Sequence, residues 1–213
     1  MISLSELRKE YSKETLEVRT VGNDPIRYFE KWFDEALRAE VLEANAMTLS
    51  TITETGRPSA RIVLLKGIEN GKFLFYTNHQ SKKGKELDGN PACALTFFWP
   101  ELERQVRIEG VSHRIDAVSA EKYFQSRPRG SQIGAWASPQ STVISDRSLL
   151  EDRVKKLEKK FKDQELIPKP HQWGGYAVDP FEIEFWQGRP NRLHDRIAFY
   201  KSENSWTIRR LAP

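Results

Sequence analysis

Short β runs separated by tight turns fill the middle of the chain, and they constrain its fold more than any other feature. Met47 to Thr53 and Ser59 to Leu65 flank a turn at Glu54-Thr55-Gly56. Asn70-Gly71 then leads from Leu65 into Phe73 to Thr77. This dipeptide is the strongest hairpin signal in the sequence, because both residues tolerate the positive φ of a type I′ turn. Ala92 to Trp99 and Gln105 to Ile115 follow. Strands return at Gly175 to Val178, Ile183 to Trp186, Leu193 to Tyr200 and Trp206 to Ile208. Strands this short, joined this tightly, predict an antiparallel sheet closed into a barrel with helices packed outside.

The helices are marked by their ends. Ser3 with Glu6 forms a capping box for a first helix bearing Leu4, Leu7 and Tyr11, with Arg8 and Tyr11 on one face. Asp24-Pro25 starts a second, striped by Ile26, Phe29, Phe33, Leu37 and Val41. Ser81 to Leu87 reads as a short basic helix closed by Gly89 and Pro91. Ala120 to Ser126 and Asp146 to Phe161 complete the set, the latter striped by Leu150, Val154, Leu157 and Phe161. The sequence carries no repeat, low-complexity tract or linker. It predicts one α+β domain over residues 1–213, mainly antiparallel β with peripheral helices.

Composition narrows the function. Hydrophobic residues make up 38% and charged ones 30% of the 213, which fits a globular chain with a polar surface. No apolar run is long enough to span a bilayer, and MISLSELRKEYSK lacks the apolar core of a signal peptide. A single cysteine, Cys93, excludes an internal disulfide framework, so a cytoplasmic location is expected. The net charge of +4 suits nucleic acid and pockets for phosphorylated small molecules alike. The four histidines are scattered, so no metal site is expected, and neither a Walker loop nor GxGxxG is present.

Four stretches concentrate chemistry. In EIEFWQGRPNRLHDR, Ile183 and Phe185 alternate with Glu184 and Trp186. Beyond the turn, Arg192, His194 and Arg196 are spaced to share one strand face, where they repel one another unless an anionic or electron-rich group lies against them. RIVLLK sets Arg61 and Lys66 five apart, on opposite faces of a regular strand. In YTNHQSKKGKE, Ser81 caps a helix whose first turn carries Lys82 and Lys83. Cations disfavoured there by the helix dipole are tolerated if an anion docks on the same end. KYFQSRPRGSQIGAW puts Tyr123 and Arg127 at i and i+4, with Ser131 just past the Pro128 break. A phenol, a guanidinium and a hydroxyl together can grip a phosphate.

Taken together these stretches resemble the pyridoxamine 5′-phosphate oxidase family, the flavin enzymes of vitamin B6 metabolism. The match runs from LRKEY to RRLAP and takes in RIVLLK, FYTN with SKK, LERQV, YFQSRPRGSQIGAW, SPQS, IEFWQG and RLHDR. The resemblance implies an FMN-binding split barrel, a homodimer with flavin mononucleotide (FMN) at the subunit interface. It implies oxidation of pyridoxamine and pyridoxine 5′-phosphates to pyridoxal 5′-phosphate, with oxygen as acceptor and hydrogen peroxide as product. By position, flavin contacts would fall on Arg61, Ile62, Val63, Leu64, Leu65, Lys66, Tyr76, Thr77, Lys82, Lys83, Gln105, Gln140, Ser141, Trp186 and Arg196. Arg61, Lys82 and Lys83 would hold the flavin phosphate; Lys66, Tyr123, Arg127 and Ser131 would clasp the substrate phosphate. Arg192 and His194 would lie over the substrate ring as catalytic groups, and Arg8 and Tyr11 would belong to a mobile lid within residues 1–20. Residues 172–213 would complete the site.

Two departures from the family pattern are Lys82, where arginine is common, and the Arg189-Pro190 turn. Lysine keeps the charge but loses bidentate geometry. Two rivals share part of this pattern. Another split-barrel flavin oxidoreductase has no reason to keep Tyr123, Arg127 and Ser131 together. A non-enzymatic basic β-barrel that stacks nucleic-acid bases would be colourless and salt-sensitive in binding.

Overall fold

The computed structural model describes residues 3, 10–203 and 205–213. The predicted first helix, with its Arg8, falls largely outside them, and Glu10 and Tyr11 at its end are not helical. Among the described residues, nine antiparallel strands form one sheet: β1 (Ala46–Ile52), β2 (Pro58–Leu64), β3 (Gly67–Glu69), β4 (Lys72–Asn78), β5 (Ala92–Trp99), β6 (Arg104–Arg114), β7 (Trp173–Gln187), β8 (Asp195–Ser202) and β9 (Ser205–Leu211). Their order is β2-β1-β5-β6-β7-β4-β3, with β8 on β7 and β9 on β8. The helices are α1 (Pro25–Arg38), α2 (Lys82–Gly89), α3 (Ala117–Ser126), α4 (Arg129–Ala137) and α5 (Ser148–Phe161). No described helix is long and apolar enough to cross a membrane.

The sheet divides at β7. This strand pairs with β6 along its length, but its other edge is shared, first with β4 and then with β8. Glu109 faces Glu182 while Gly110 faces Pro180, so Phe181 is the extra residue of a bulge. One extra residue inverts the strand's parity. Tyr176 and Val178 point into the core before it, Ile183 and Phe185 after it. Trp186 and Glu184 are thereby turned to the other face. A Cβ on Gly110 would lie 2.5 Å from the Asp179 carbonyl oxygen, so glycine is needed opposite the bulge. The sequence shows this one strand as two, because Asp179-Pro180 reads as an interruption.

The main core lies inside the curved sheet and is closed by α1. The Asp24 carboxylate accepts from the Ile26 and Arg27 amides, and Pro25 takes the first helical position. The buried face is Tyr28, Phe29, Trp32 and Ala36, with Ile26 and Phe33 at its margin. Leu37, expected in the stripe, is 55% exposed. Two large aromatics outside the expected stripe, Tyr28 and Trp32, both packed edge-on to Phe185, rotate the buried face away from Leu37.

A second cluster, Phe124, Ile133, Phe161, Ile167 and Trp173, packs α3, α4 and α5 onto the start of β7. Val154 and Leu157 join it along the predicted α5 stripe. The sequence expectation stops at the Pro128 break and includes neither α4 nor the three-residue β3. The expected helical pairing of Tyr123 with Arg127 is also corrected. Arg127 is extended (φ −77°, ψ 147°), because the proline that follows disfavours a helical residue before it.

Candidate active site

A cavity of about 480 Å³ opens between the end of β2, β4, α2 and the α3–α4 corner. It gathers residues from both predicted phosphate sets: Arg61 and Lys83 on one side, Lys66, Tyr123, Arg127 and Ser131 on the other. The parity conflict between Arg61 and Lys66 disappears because β2 stops at Leu64. Ile62, Val63 and Leu64 line the same wall, whereas the Leu65 side chain belongs to the core. Tyr76 and Tyr123 stack with ring centroids 3.9 Å apart, and Trp173 continues the stack 5.4 Å from Tyr76. Burial raises the pKa of both tyrosines, so each stays a neutral hydroxyl at ordinary pH.

The cations differ sharply in how they are held. Arg61 donates through Nη1 to Thr51 Oγ1 and the Leu49 carbonyl, and through Nη2 to Ser59 Oγ (2.6 Å) and Glu86 Oε2 (2.8 Å). Glu86 is buried, and burial alone would raise its pKa. The Thr51 hydroxyl and Arg61 reverse this, holding the carboxyl below its ordinary range. Its Oε1 has no hydrogen-bond partner among the described residues and sits 3.9 Å from Lys82 Nζ. Lys82 itself is mostly exposed and does not line the cavity. Lys83 Nζ reaches Thr77 Oγ1 (3.2 Å) and Gln140 Oε1 (3.1 Å), and burial, then Arg61, lower its pKa. Ser141, next along, is exposed with φ 68°.

Arg127 is the contrast. Its guanidinium lies 4.9 Å from the Trp173 ring centroid, burial lowers its pKa, and its Nη1 is buried with no partner among the described residues. A buried, unpaired guanidinium N–H is costly, so such a group points to an anion that completes it.

The remaining predicted residues lie elsewhere. Gln105, Trp186 and Arg196 stand in register across β6, β7 and β8, and none lines the cavity. The expected strand face of Arg192, His194 and Arg196 does not form. Pro190–Arg192 is a 3-10 turn with Asn191 at φ 57° and Arg192 at φ 61°, and β8 begins only at Asp195. Nor is Arg196 an unmatched cation. The buried Glu184 takes it in a two-pronged pair of 2.8 and 2.9 Å and also accepts from Arg107. His194 instead tilts against Trp186, with ring centroids 4.5 Å apart, and Tyr11 meets Trp186 edge-on at 5.8 Å. Burial, then the Arg192 charge, lower the His194 pKa, and its neutral Nδ1 accepts the Arg189 amide at 3.0 Å.

Sequence reasoning missed Glu86 and Glu184, the carboxylates that hold the two arginines, and Trp173 under Arg127. Lys82-Glu86 and the alternation Glu182-Glu184 were visible signals, but nothing in them said that these acids are buried.

Among the described residues no group of His, Cys, Asp and Glu is arranged to hold a metal ion. Residues 33–161 match the family described as "Pyridoxamine 5′-phosphate oxidase", and residues 173–213 match "Pyridoxine 5′-phosphate oxidase C-terminal dimerisation region". The chain is 56% identical to a pyridoxine/pyridoxamine 5′-phosphate oxidase of Leptospira interrogans, over 99% of this chain and 98% of that one. It is 53% identical to the protein of the same name from Salinibacter ruber, over the full length of both. Among solved structures it resembles PhzG from Burkholderia lata bound to tetrahydrophenazine-1-carboxylic acid, at a TM-score of 0.88 and 28% identity, covering 95% of this chain and 100% of that one. An FMN-binding protein from Nostoc punctiforme shares the fold at a TM-score of 0.69 and 16% identity, covering 87% and 97%. The fold is the split barrel expected from the sequence, and the chain belongs to the pyridoxine/pyridoxamine 5′-phosphate oxidase family.

Proposed function

We propose that this protein is an FMN-dependent oxidase that converts pyridoxamine 5′-phosphate and pyridoxine 5′-phosphate to pyridoxal 5′-phosphate. The observation that carries the reading is the orphaned Nη1 of Arg127 in a cavity shared with Lys66, Tyr123 and Ser131. That set offers two cations and two hydroxyls to one dianion, on a chain whose relatives are oxidases of phosphorylated B6 vitamers. PhzG, whose bound tetrahydrophenazine-1-carboxylic acid carries no phosphate, marks the rival chemistry, and such a ligand would make no use of a phosphate clasp.

The residues fit FMN as well. Lys83 on the Ser81-capped end of α2, with Arg61 fixed by Glu86, would hold the flavin phosphate. Lys82 would add charge from the exposed side. When bound there, FMN would supply the redox chemistry, an acceptor for the hydride from the substrate's exocyclic carbon and a donor of that electron pair to oxygen, giving hydrogen peroxide. The amine substrate also consumes water and releases ammonia. The protein's part is positioning: cations neutralise the phosphates, and the Trp173–Tyr76–Tyr123 stack walls the cavity.

Gln105, Trp186 and Arg196 do not line the cavity of their own chain, so we infer that a second copy supplies that row. The dimerisation match at residues 173–213 includes both Trp186 and Arg196. Arg192 and His194 would then face the substrate ring from the row's end. Incubation of FMN-loaded protein with pyridoxamine 5′-phosphate in air tests the reading. Pyridoxal 5′-phosphate and peroxide in equal amounts are expected, and a flavin-loaded protein producing neither overturns it.

A further inference from the structure

Glu103 lies in the connection between β5 and β6, inside the LERQV stretch, and only Gln105 of that stretch has so far been given a role. It is 3% exposed and held at φ 55°, an unusual conformation for a residue with a Cβ. Its Oε2 accepts the backbone amides of Ser12 (2.8 Å) and Lys13 (3.1 Å), about ninety residues away in sequence. Its own carbonyl accepts the Gly188 amide at 2.8 Å and the Gln187 Nε2 at 3.3 Å. One residue thus ties the N-terminal segment to the turn that carries Arg189 to His194.

The tie places Tyr11. A Cβ on Gly188 would lie 2.7 Å from both Cβ and Cγ of Tyr11 and 3.0 Å from Glu103 Cβ, so the phenol ring packs on bare backbone. From there Tyr11 touches Trp186 edge-on and lies 6.0 Å from His194. Further along, the segment has separate anchors: Arg189 Nη1 on the Glu14 carbonyl, and Asp195 and Arg210 on Leu16. Glu103 is the side-chain anchor nearest to Tyr11. The dependence is mutual, because a buried carboxylate without its two amide donors is strongly disfavoured.

We propose that Glu103 is a positioning residue that anchors the N-terminal strap and so holds Tyr11 against the Trp186–His194 pair. This rests on the reading of His194 as part of the substrate-ring side of the site, with Trp186 beside it in the flavin row. With Glu103 lost, residues 10–13 lift, Tyr11 leaves its glycine seat and the substrate ring is held less well. The cavity with Lys83 and Arg127 is untouched.

The test uses the full-length holoprotein carrying Glu103→Ala, Tyr11→Ala or both, with Glu103→Gln as the conservative variant. Trypsin cleavage after Lys13 should accelerate roughly tenfold in Glu103→Ala, the scale of one lost charge-assisted hydrogen bond. Glu103→Gln keeps an acceptor oxygen and should fall between, and it carries the test if the alanine variant does not fold. The KM for pyridoxamine 5′-phosphate should rise several-fold with FMN affinity unchanged, and the double variant should match Tyr11→Ala alone. Unchanged cleavage overturns the anchor, and additive effects in the double variant overturn action through Tyr11. Faster cleavage with unaltered kinetics in all variants instead overturns the assignment of His194 to the substrate-ring side.

Discussion

Replacing Arg127 by alanine should move substrate affinity and protein stability in different directions. Without ligand, the guanidinium pays for a buried N–H that has no partner among the described residues, about 1–3 kcal/mol. Its contact with the Trp173 ring at 4.9 Å returns about 0.5–1 kcal/mol. Arg127→Ala should therefore leave the melting temperature unchanged or raise it, by up to about 10 °C for a chain of this size. Phosphate reverses the balance, because it completes the orphaned donor with a charge-assisted bond worth about 1.5–3 kcal/mol. Losing that bond should raise the KM for pyridoxamine 5′-phosphate roughly ten- to hundredfold. FMN affinity, read by flavin fluorescence titration, should hardly change, because Lys83 and Arg61 stay in place. A clear drop in melting temperature with KM intact would show that Arg127 is a structural cation. Loss of flavin with substrate binding intact would show that the two phosphate sites are reversed.

Gly84→Ala should sharply destabilise the protein, since its Cβ would sit 2.1 Å from the His79 carbonyl oxygen. Overpacking against backbone costs about 1–3 kcal/mol or more, readable as a lower urea midpoint. Burial depresses the pKa of His79 below its ordinary 6.5, and that of His194 is depressed as well. In the unfolded chain both protonate first as pH falls, so stability is full above about pH 6.5 and declines below it until the folded-state pKa values are passed. His79→Phe should show a smaller fall in urea midpoint between about pH 7 and pH 5 than the parent, and a fall as large as the parent's would refute the His79 share. Arg192→Lys should keep its flavin yet slow anaerobic flavin reduction by on the order of a hundredfold, because lysine lacks the planar guanidinium. Near-normal reduction by saturating substrate in stopped flow would remove Arg192 from the reaction.

The strands were legible because their signals are local. Asn70-Gly71 carries its own turn geometry, and Ala92–Trp99 was read to the residue. Asp24-Pro25 and Ser81 were likewise read correctly as caps, since a cap is chosen by the side chain at that position. What escaped depends on partners distant in sequence. The bulge at Phe181 is fixed by pairing with Glu109 and Gly110, so the continuity of β7 could not be seen along the chain. The 3-10 turn at Pro190–Arg192 broke an alternation that spacing alone supported. Arg196, expected with Arg192 and His194 to need an external anion, is instead neutralised by Glu184 from the neighbouring strand. Sequence placed the cations; only the fold shows which are already paired. By that measure Arg61 and Arg196 are held in advance, while Arg127 is left open.

Anaerobic mixing of the FMN-loaded protein with matched substrates tests the central claim most directly. Pyridoxamine 5′-phosphate should bleach the visible flavin band, and admitted oxygen should restore it with release of pyridoxal 5′-phosphate. Pyridoxamine without its phosphate should bleach it far more slowly at the same concentration, because Lys66, Tyr123, Arg127 and Ser131 then have nothing to hold. Equal bleaching by the two amines, or none by the phosphorylated one, would contradict the account.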